Sequence, residues 1–167
     1  MTLDEFNALT LTAATEQLRL CCAAERWIDC VCRGRPYTDT ESLLQRAQQH
    51  WQALGETDTL QAFAGHPKIG DVGSLRKRYA ASEALVTREQ AGMNTASGRI
   101  IQALSEGNLA YEQKFGFIFI VCASGKSAAQ MLELLQTRLG NTRASELNIA
   151  AAEQMKITEL RLLNMLL

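Results

Sequence analysis

This 167-residue chain has two histidines, and histidine is the usual general acid or base near neutral pH. His50 stands in Gln48-Gln49-His50-Trp51, on the polar surface of an expected helix, and reads as a solvated ring. His66 stands between Gly65 and Pro67, in a stretch from Gly65 to Gly73 that holds three glycines and a proline in nine residues. Such a stretch is a loop, and loops carried by a helical scaffold are where chemistry tends to sit. Two readings of His66 fit: a proton-transfer group, or a loop ring that caps a backbone carbonyl. Thr87-Arg88-Glu89-Gln90 likewise offers a carboxylate for catalysis, but Thr87 and Gln90 also make a helix capping box, with Glu89 complementing the dipole. Helical spacing puts Arg161 beside Ile157, Thr158, Leu162 and Met165, at the edge of an apolar face. There it can snorkel to solvent or bind an anionic ligand as a planar fork.

Two other candidates fail on spacing. Gly125-Lys126-Ser127 follows an apolar run as the end of a phosphate-binding loop does. The full pattern needs a glycine five residues before Gly125, where this chain has Ile120, so Ser127 reads as a helix cap. Cys21, Cys22, Cys30 and Cys32 crowd into one stretch without the pair spacing of a zinc site and with no histidine near, and Cys122 stands apart. They read as free thiols packed as small hydrophobes, with neither metal nor disulfide.

The elements that must position these residues are helical. Only Pro36 and Pro67 interrupt a sequence rich in Ala, Leu, Gln and Glu. Thr2-Leu3-Asp4-Glu5 is a capping box, and Leu11, Ala14, Leu18, Cys21, Ala24, Ile28 and Val31 keep one helical period until Gly34 and Pro36 end it. Thr38-Asp39-Thr40-Glu41 opens a helix with Leu44, Ala47, Trp51 and Leu54 inside, and a short helix covers 58–64. Beyond the loop, helices are expected over 74–84, from Thr87 with a kink at Gly92, and over 99–114. Ser127 with Gln130 caps the next, which carries Met131, Leu135 and Leu139. The last runs from about Ala144, with Leu147, Ala151, Met155, Leu162 and Met165 as its inner face. Phe117-Ile118-Phe119-Ile120-Val121 has strand propensity, but no second run could pair with it, so it reads as a buried extended connector near 117–123. The expected fold is an all-α, single-domain helical bundle over 1–167.

Seventeen basic against eighteen acidic residues leave a net charge of -1, which argues against a nucleic-acid binder. No apolar run approaches the length of a membrane helix, and the opening Met1-Thr2-Leu3-Asp4-Glu5 carries acids where a secretory leader carries bases. A cytoplasmic protein with no nucleic-acid or membrane partner is expected.

Taken together, Gly65-His66-Pro67, Arg88-Glu89-Gln90-Ala91-Gly92, Tyr111-Glu112-Gln113-Lys114-Phe115-Gly116-Phe117 with Ile120-Val121-Cys122-Ala123, and Leu160-Arg161-Leu162 resemble one family. It is the 2-oxo-4-hydroxy-4-carboxy-5-ureidoimidazoline (OHCU) decarboxylases of urate breakdown, and the pieces occur in register over nearly the whole chain. The resemblance implies an all-α enzyme, usually a homodimer, that makes (S)-allantoin with no metal or organic cofactor. The closing Asn164-Met165-Leu166-Leu167 is not the peroxisomal tail some members carry, which fits a bacterial-type cytoplasmic enzyme.

The family's histidine falls on His66, its main acid/base, followed by Pro67. Its glutamate and glutamine fall on Glu89 and Gln90, flanked by Thr87 and Arg88, and its late arginine on Arg161. Backbone groups of Phe119, Ile120, Val121, Cys122 and Ala123 resemble the family's contacts to the ring and ureido atoms. Many members carry serine three residues before the glutamate, where this chain has Val86 with Thr87 beside it. On this resemblance Arg161 and backbone amides hold the ring. His66, with Glu89, takes the hydroxyl proton or delivers the one that sets the stereocentre. Two other classes stand beside this reading: a helical interaction module without chemistry, and a different small-molecule lyase or hydrolase on the same scaffold.

Overall fold

The structure, a computed structural model, describes residues 1–66, position 73 and residues 93–167, with side chains in the last stretch from position 98. Eight helices and no strand occur among the described residues: α1 (Leu3–Ala8), α2 (Leu11–Cys21), α3 (Glu25–Arg33), α4 (Thr40–Gln52), α5 (Glu56–Ala64), α6 (Met93–Phe115), α7 (Ala128–Leu139) and α8 (Arg143–Met165). The all-α expectation holds. The helices expected over 74–84 and from Thr87 lie outside the described residues.

Local chemistry explains most boundaries. Thr2 accepts from the Glu5 amide while the Glu5 carboxylate takes the Thr2 amide, the reciprocal box expected at α1. Ser127 and Gln130 do the same at α7. At α4 the cap is Asp39, paired with Ser42, and not Thr38 with Glu41. The short Asp39 carboxylate reaches the Ser42 amide at 2.7 Å, and the helix phase it sets buries Leu43 where Leu44 was expected. α5 begins two residues before the expected Asp58, at Glu56.

The largest difference lies between Leu11 and Val31. One continuous period predicts one helix, yet the chain breaks after Cys21: Cys22 is extended (φ -150°, ψ 136°) and Ala24 caps α3. Cys21, Cys22 and Ala24 are all buried, so the turn packs both helices into the same core without disturbing the spacing of apolar residues. Of the cysteines, Cys21, Cys22 and Cys32 are buried as expected, whereas Cys30 and Cys122 are only half-buried.

The chain packs as two compact units. The first comprises Met1–His66, Ile120–Cys122 and Ala150–Leu167. Its core gathers Phe6, Leu18, Trp27, Ile28, Leu43 and Leu162, each essentially fully buried. Buried indoles keep hydrogen bonds: Trp27 donates to the Ala47 carbonyl at 2.9 Å and Trp51 to the Ala151 carbonyl at 3.1 Å. The Arg35 guanidinium donates to the carbonyls of Phe6 (2.8 Å), Leu9 (2.9 Å) and Cys32 (3.1 Å), closing the open ends of α1 and α3.

The second unit includes residues 93–119 and 123–149. α6 ends where Gly116 takes φ +79°, a left-handed geometry that side chains disfavour. The connector that follows is irregular, as expected, but of residues 117–123 only Phe117 and Ile120 are buried and the rest are half-buried; aromatic rings pin it. Phe117 and Phe119 meet Tyr111 edge-on at 5.9 and 5.1 Å between centroids, and the Arg138 guanidinium lies 4.6 Å over the Phe119 ring. Beneath them Tyr111 donates to the fully buried Glu146, which pairs with Arg138 and accepts from Asn141 at 2.9 Å. Burial and the bond to Glu146 push the Tyr111 phenol far up.

Candidate active site

The innermost line of α8 is not the apolar one the sequence suggests. Glu146, Ala150, Gln154, Thr158 and Leu162, four residues apart, are fully buried, whereas the expected Leu147, Ala151, Met155 and Met165 are only half-buried. In the first unit this line presents Gln154 and Thr158 to the core, and a buried amide or hydroxyl must find a partner. The Thr158 hydroxyl donates to the Gln154 carbonyl (3.0 Å) and accepts from the Gln154 side-chain amide (3.2 Å). The other end of that amide, Oε1, stands 2.6 Å from His66 Nε2.

His66 follows the end of α5. Its amide donates to the Phe63 carbonyl at 3.1 Å, and Gly65 closes the helix with ordinary right-handed geometry (φ -72°). Gly65 is there for space: a Cβ would lie 2.4 Å from the Ala23 Cβ. Gly65→Ala should therefore cost about 1–3 kcal/mol by overpacking and push His66 off its amide partner. A urea midpoint and kcat/KM measured on the same sample check this, and an unchanged pair would mean that Ala23 yields freely.

Arg161 sits seven residues beyond Gln154, about 20° short of two full turns, so both lie on one stripe of α8 about 10 Å apart along the axis. Its guanidinium donates to the Cys21 carbonyl at 3.1 Å, filling an acceptor left open where α2 breaks. The break that the sequence period conceals is thus part of how Arg161 is held. Burial lowers the pKa of His66, and the Arg161 charge lowers it further, against the opposing effect of the hydrogen bond that the ring donates to Gln154. The ring is neutral at pH 7. Burial also pushes the Cys21 thiol up to about 11 and raises Cys22, so neither is a ready thiolate nucleophile or metal ligand. Among the described residues no three His, Cys, Asp or Glu side chains gather as a metal-binding group.

Residues 7–163 match the OHCU decarboxylase family. The chain belongs to that family. It is 35% identical over 154 residues to a uric acid degradation bifunctional protein of Arabidopsis thaliana, covering 92% of this chain and 48% of the relative. The chain therefore spans about half the length of that relative. It is 27% identical to an OHCU decarboxylase of Amia calva, covering 77% of this chain and 73% of that one. A crystal structure of an OHCU decarboxylase in the presence of (S)-allantoin superposes with a TM-score of 0.72 at 36% identity, over 90% of this chain and 97% of that chain.

Of the residues expected at an OHCU decarboxylase site, His66, Ile120, Val121, Cys122 and Arg161 pack within the first unit, while Phe119 and Ala123 pack within the second. The Cys122 amide donates to the Glu153 carboxylate at 2.7 Å, and Glu153 also pairs with Lys156 at 2.6 Å. Pro67, Thr87, Arg88, Glu89 and Gln90 lie outside the described residues. Sequence reasoning passed over Gln154 and Thr158. Their signal is a polar pair at four-residue spacing between Ala150 and Leu162 on the same line, which a search for apolar faces discards.

No helix among the described residues is long and apolar enough to cross a membrane.

Proposed function

We propose that this chain decarboxylates OHCU to (S)-allantoin in urate breakdown, as a carboxy-lyase whose own side chains carry the proton transfers. The observation that carries this reading is a neutral, half-buried imidazole at His66, held from the same stripe of α8 that bears Arg161. The match to the OHCU decarboxylase family over residues 7–163 supports it.

The chemistry follows from the substrate. One ring carbon carries both a hydroxyl and a carboxylate, and its neighbour carries the ureido group. When CO₂ leaves, the electrons of the broken C–C bond enter the ring's C–N and carbonyl system, a sink that the substrate brings with it. The ring nitrogen that receives those electrons takes a proton, the hydroxyl proton departs as its carbon becomes a carbonyl, and the ureido-bearing carbon takes a proton on one face. The balance is one CO₂ released and one proton gained. The enzyme's share is to hold the scissile bond perpendicular to the π system and to aim donors at the growing charge. Neutral His66 takes the hydroxyl proton. Arg161 holds the ring with backbone groups of Ile120, Val121 and Cys122, the Cys122 amide itself being held by Glu153. Glu89, with Pro67, Thr87, Arg88 and Gln90, keeps the role that the family resemblance gives it.

Freshly generated OHCU mixed with the protein should yield (S)-allantoin faster than spontaneous decay, read as a circular-dichroism signal of one sign. Racemic allantoin at the spontaneous rate would sink the proposal. A homodimer in the cytoplasm belongs to the same reading, and light scattering with cell fractionation checks it.

A further inference from the structure

We propose that Gln154, locked by Thr158, is a positioning residue that holds His66 as its Nε2–H tautomer and so presents Nδ1 as the proton acceptor. The inference rests on the reading of His66 as the acid/base and adds which nitrogen does the work and what selects it.

The argument is a count of donors. The single proton of the Thr158 hydroxyl is directed to the Gln154 carbonyl at 3.0 Å, and the hydroxyl also meets the Cys22 thiol, which keeps its own proton. Toward the Gln154 side chain the hydroxyl oxygen then accepts, which requires the NH₂ end of the amide on the Thr158 side, at 3.2 Å. The carbonyl end therefore faces His66 at 2.6 Å, and an oxygen that only accepts requires a proton on Nε2. In a neutral ring the other nitrogen then carries the lone pair, and no described residue bonds to His66 Nδ1. Gln154 and Thr158 are both fully buried, so water cannot relax this arrangement. A backbone carbonyl starts the chain, which makes it insensitive to pH. Among the described residues the charge that acts on the ring is Arg161, also on α8, and the Cys21 and Cys22 thiols near Arg161 stay protonated.

The test reads the ring directly and the pH profile beside it. In ¹⁵N-histidine-labelled protein at neutral pH, His66 should show a protonated Nε2 and an unprotonated Nδ1; the reverse pattern overturns the inference without any assay. In Gln154→Glu a carboxylate replaces the neutral acceptor and favours the imidazolium. The acidic limb of kcat/KM should then move up by about one pH unit or more, whereas a merely structural amide would leave it in place. Thr158→Val frees the amide to turn its NH₂ toward His66, so the ring should shift toward the Nδ1–H form and kcat should fall about tenfold or more with KM little changed; Thr158→Ser should restore both. Should any variant fail to fold, the wild-type spectrum still decides. His66→Asn separates the two claims. Full activity there removes the underlying reading, while an inactive His66→Asn with an unmoved limb in Gln154→Glu removes only the role given to Gln154.

Discussion

His66→Asn is expected to lower turnover of OHCU by about 10²–10⁴-fold, the range a positioned acid/base contributes, while leaving the helices intact. Asparagine is neutral and its amide reaches only as far as Nδ1 does, so the bond that Nε2 makes to Gln154 is lost and the variant also gives up about 1–3 kcal/mol for the stranded buried amide. What disappears with the ring is its basic nitrogen. The pH dependence of the wild type follows from the direction of the His66 shift. Burial and the Arg161 charge lower its pKa, so the neutral, competent form prevails at pH 7 and kcat/KM should fall only as pH drops below the usual histidine range. The same shift has a consequence for stability. With the folded pKa below the unfolded one, the contribution is complete above the unfolded value near 6.5 and is lost as pH falls toward the folded value. His66→Asn should remove both the acidic limb and this slope of stability with pH. Near-normal formation of (S)-allantoin by the variant would take His66 out of the mechanism.

Much of this arrangement was legible in the sequence, and the parts that were not share a cause. Capping boxes at Thr2 and Ser127 are local chemistry, complete within four residues, so they could be read directly. His66 stood out because a glycine and a proline flank it, and the connector was legible as irregular because no second run in the chain could join it in a sheet. The break after Cys21 was hidden because a turn that keeps every apolar residue buried leaves the apolar period untouched. Reading an inner face from apolar residues alone selected Leu147, Ala151 and Met155 over the truly buried Glu146, Ala150 and Gln154 one position away. Periodicity fixes a helix's phase to within one residue, about 100°, and only the partners on other elements resolve it. Leu139 was likewise preferred to its neighbour Arg138, whose burial depends on a carboxylate eight residues further on.

That carboxylate gives the largest stability effect expected in the molecule. Glu146 is fully buried, and within its unit it accepts from Tyr111 and Asn141 and pairs with Arg138, whose own side chain is only 7% exposed. Ions taken out of water this far each carry several kcal/mol of desolvation, which their mutual attraction and the surrounding hydrogen bonds offset. Glu146→Ala removes the negative partner but leaves the guanidinium of Arg138 among the rings of Tyr111 and Phe119 with no counter-charge from that position. Breaking such a pair on one side costs about 3–5 kcal/mol, against about 1 kcal/mol for an exposed pair. At about 2–4 °C per kcal/mol for a chain of this size, thermal unfolding should begin about 10 °C earlier. The double variant Glu146→Leu/Arg138→Met replaces the ions with side chains of similar reach and should recover most of the loss, because the desolvation cost goes with the charges. Calorimetry on the single and double variants gives the coupling directly. A single variant that melts with the wild type would mean that water reaches Arg138 freely, and a double variant worse than the single would mean that the rings, not the charges, hold this part of the fold.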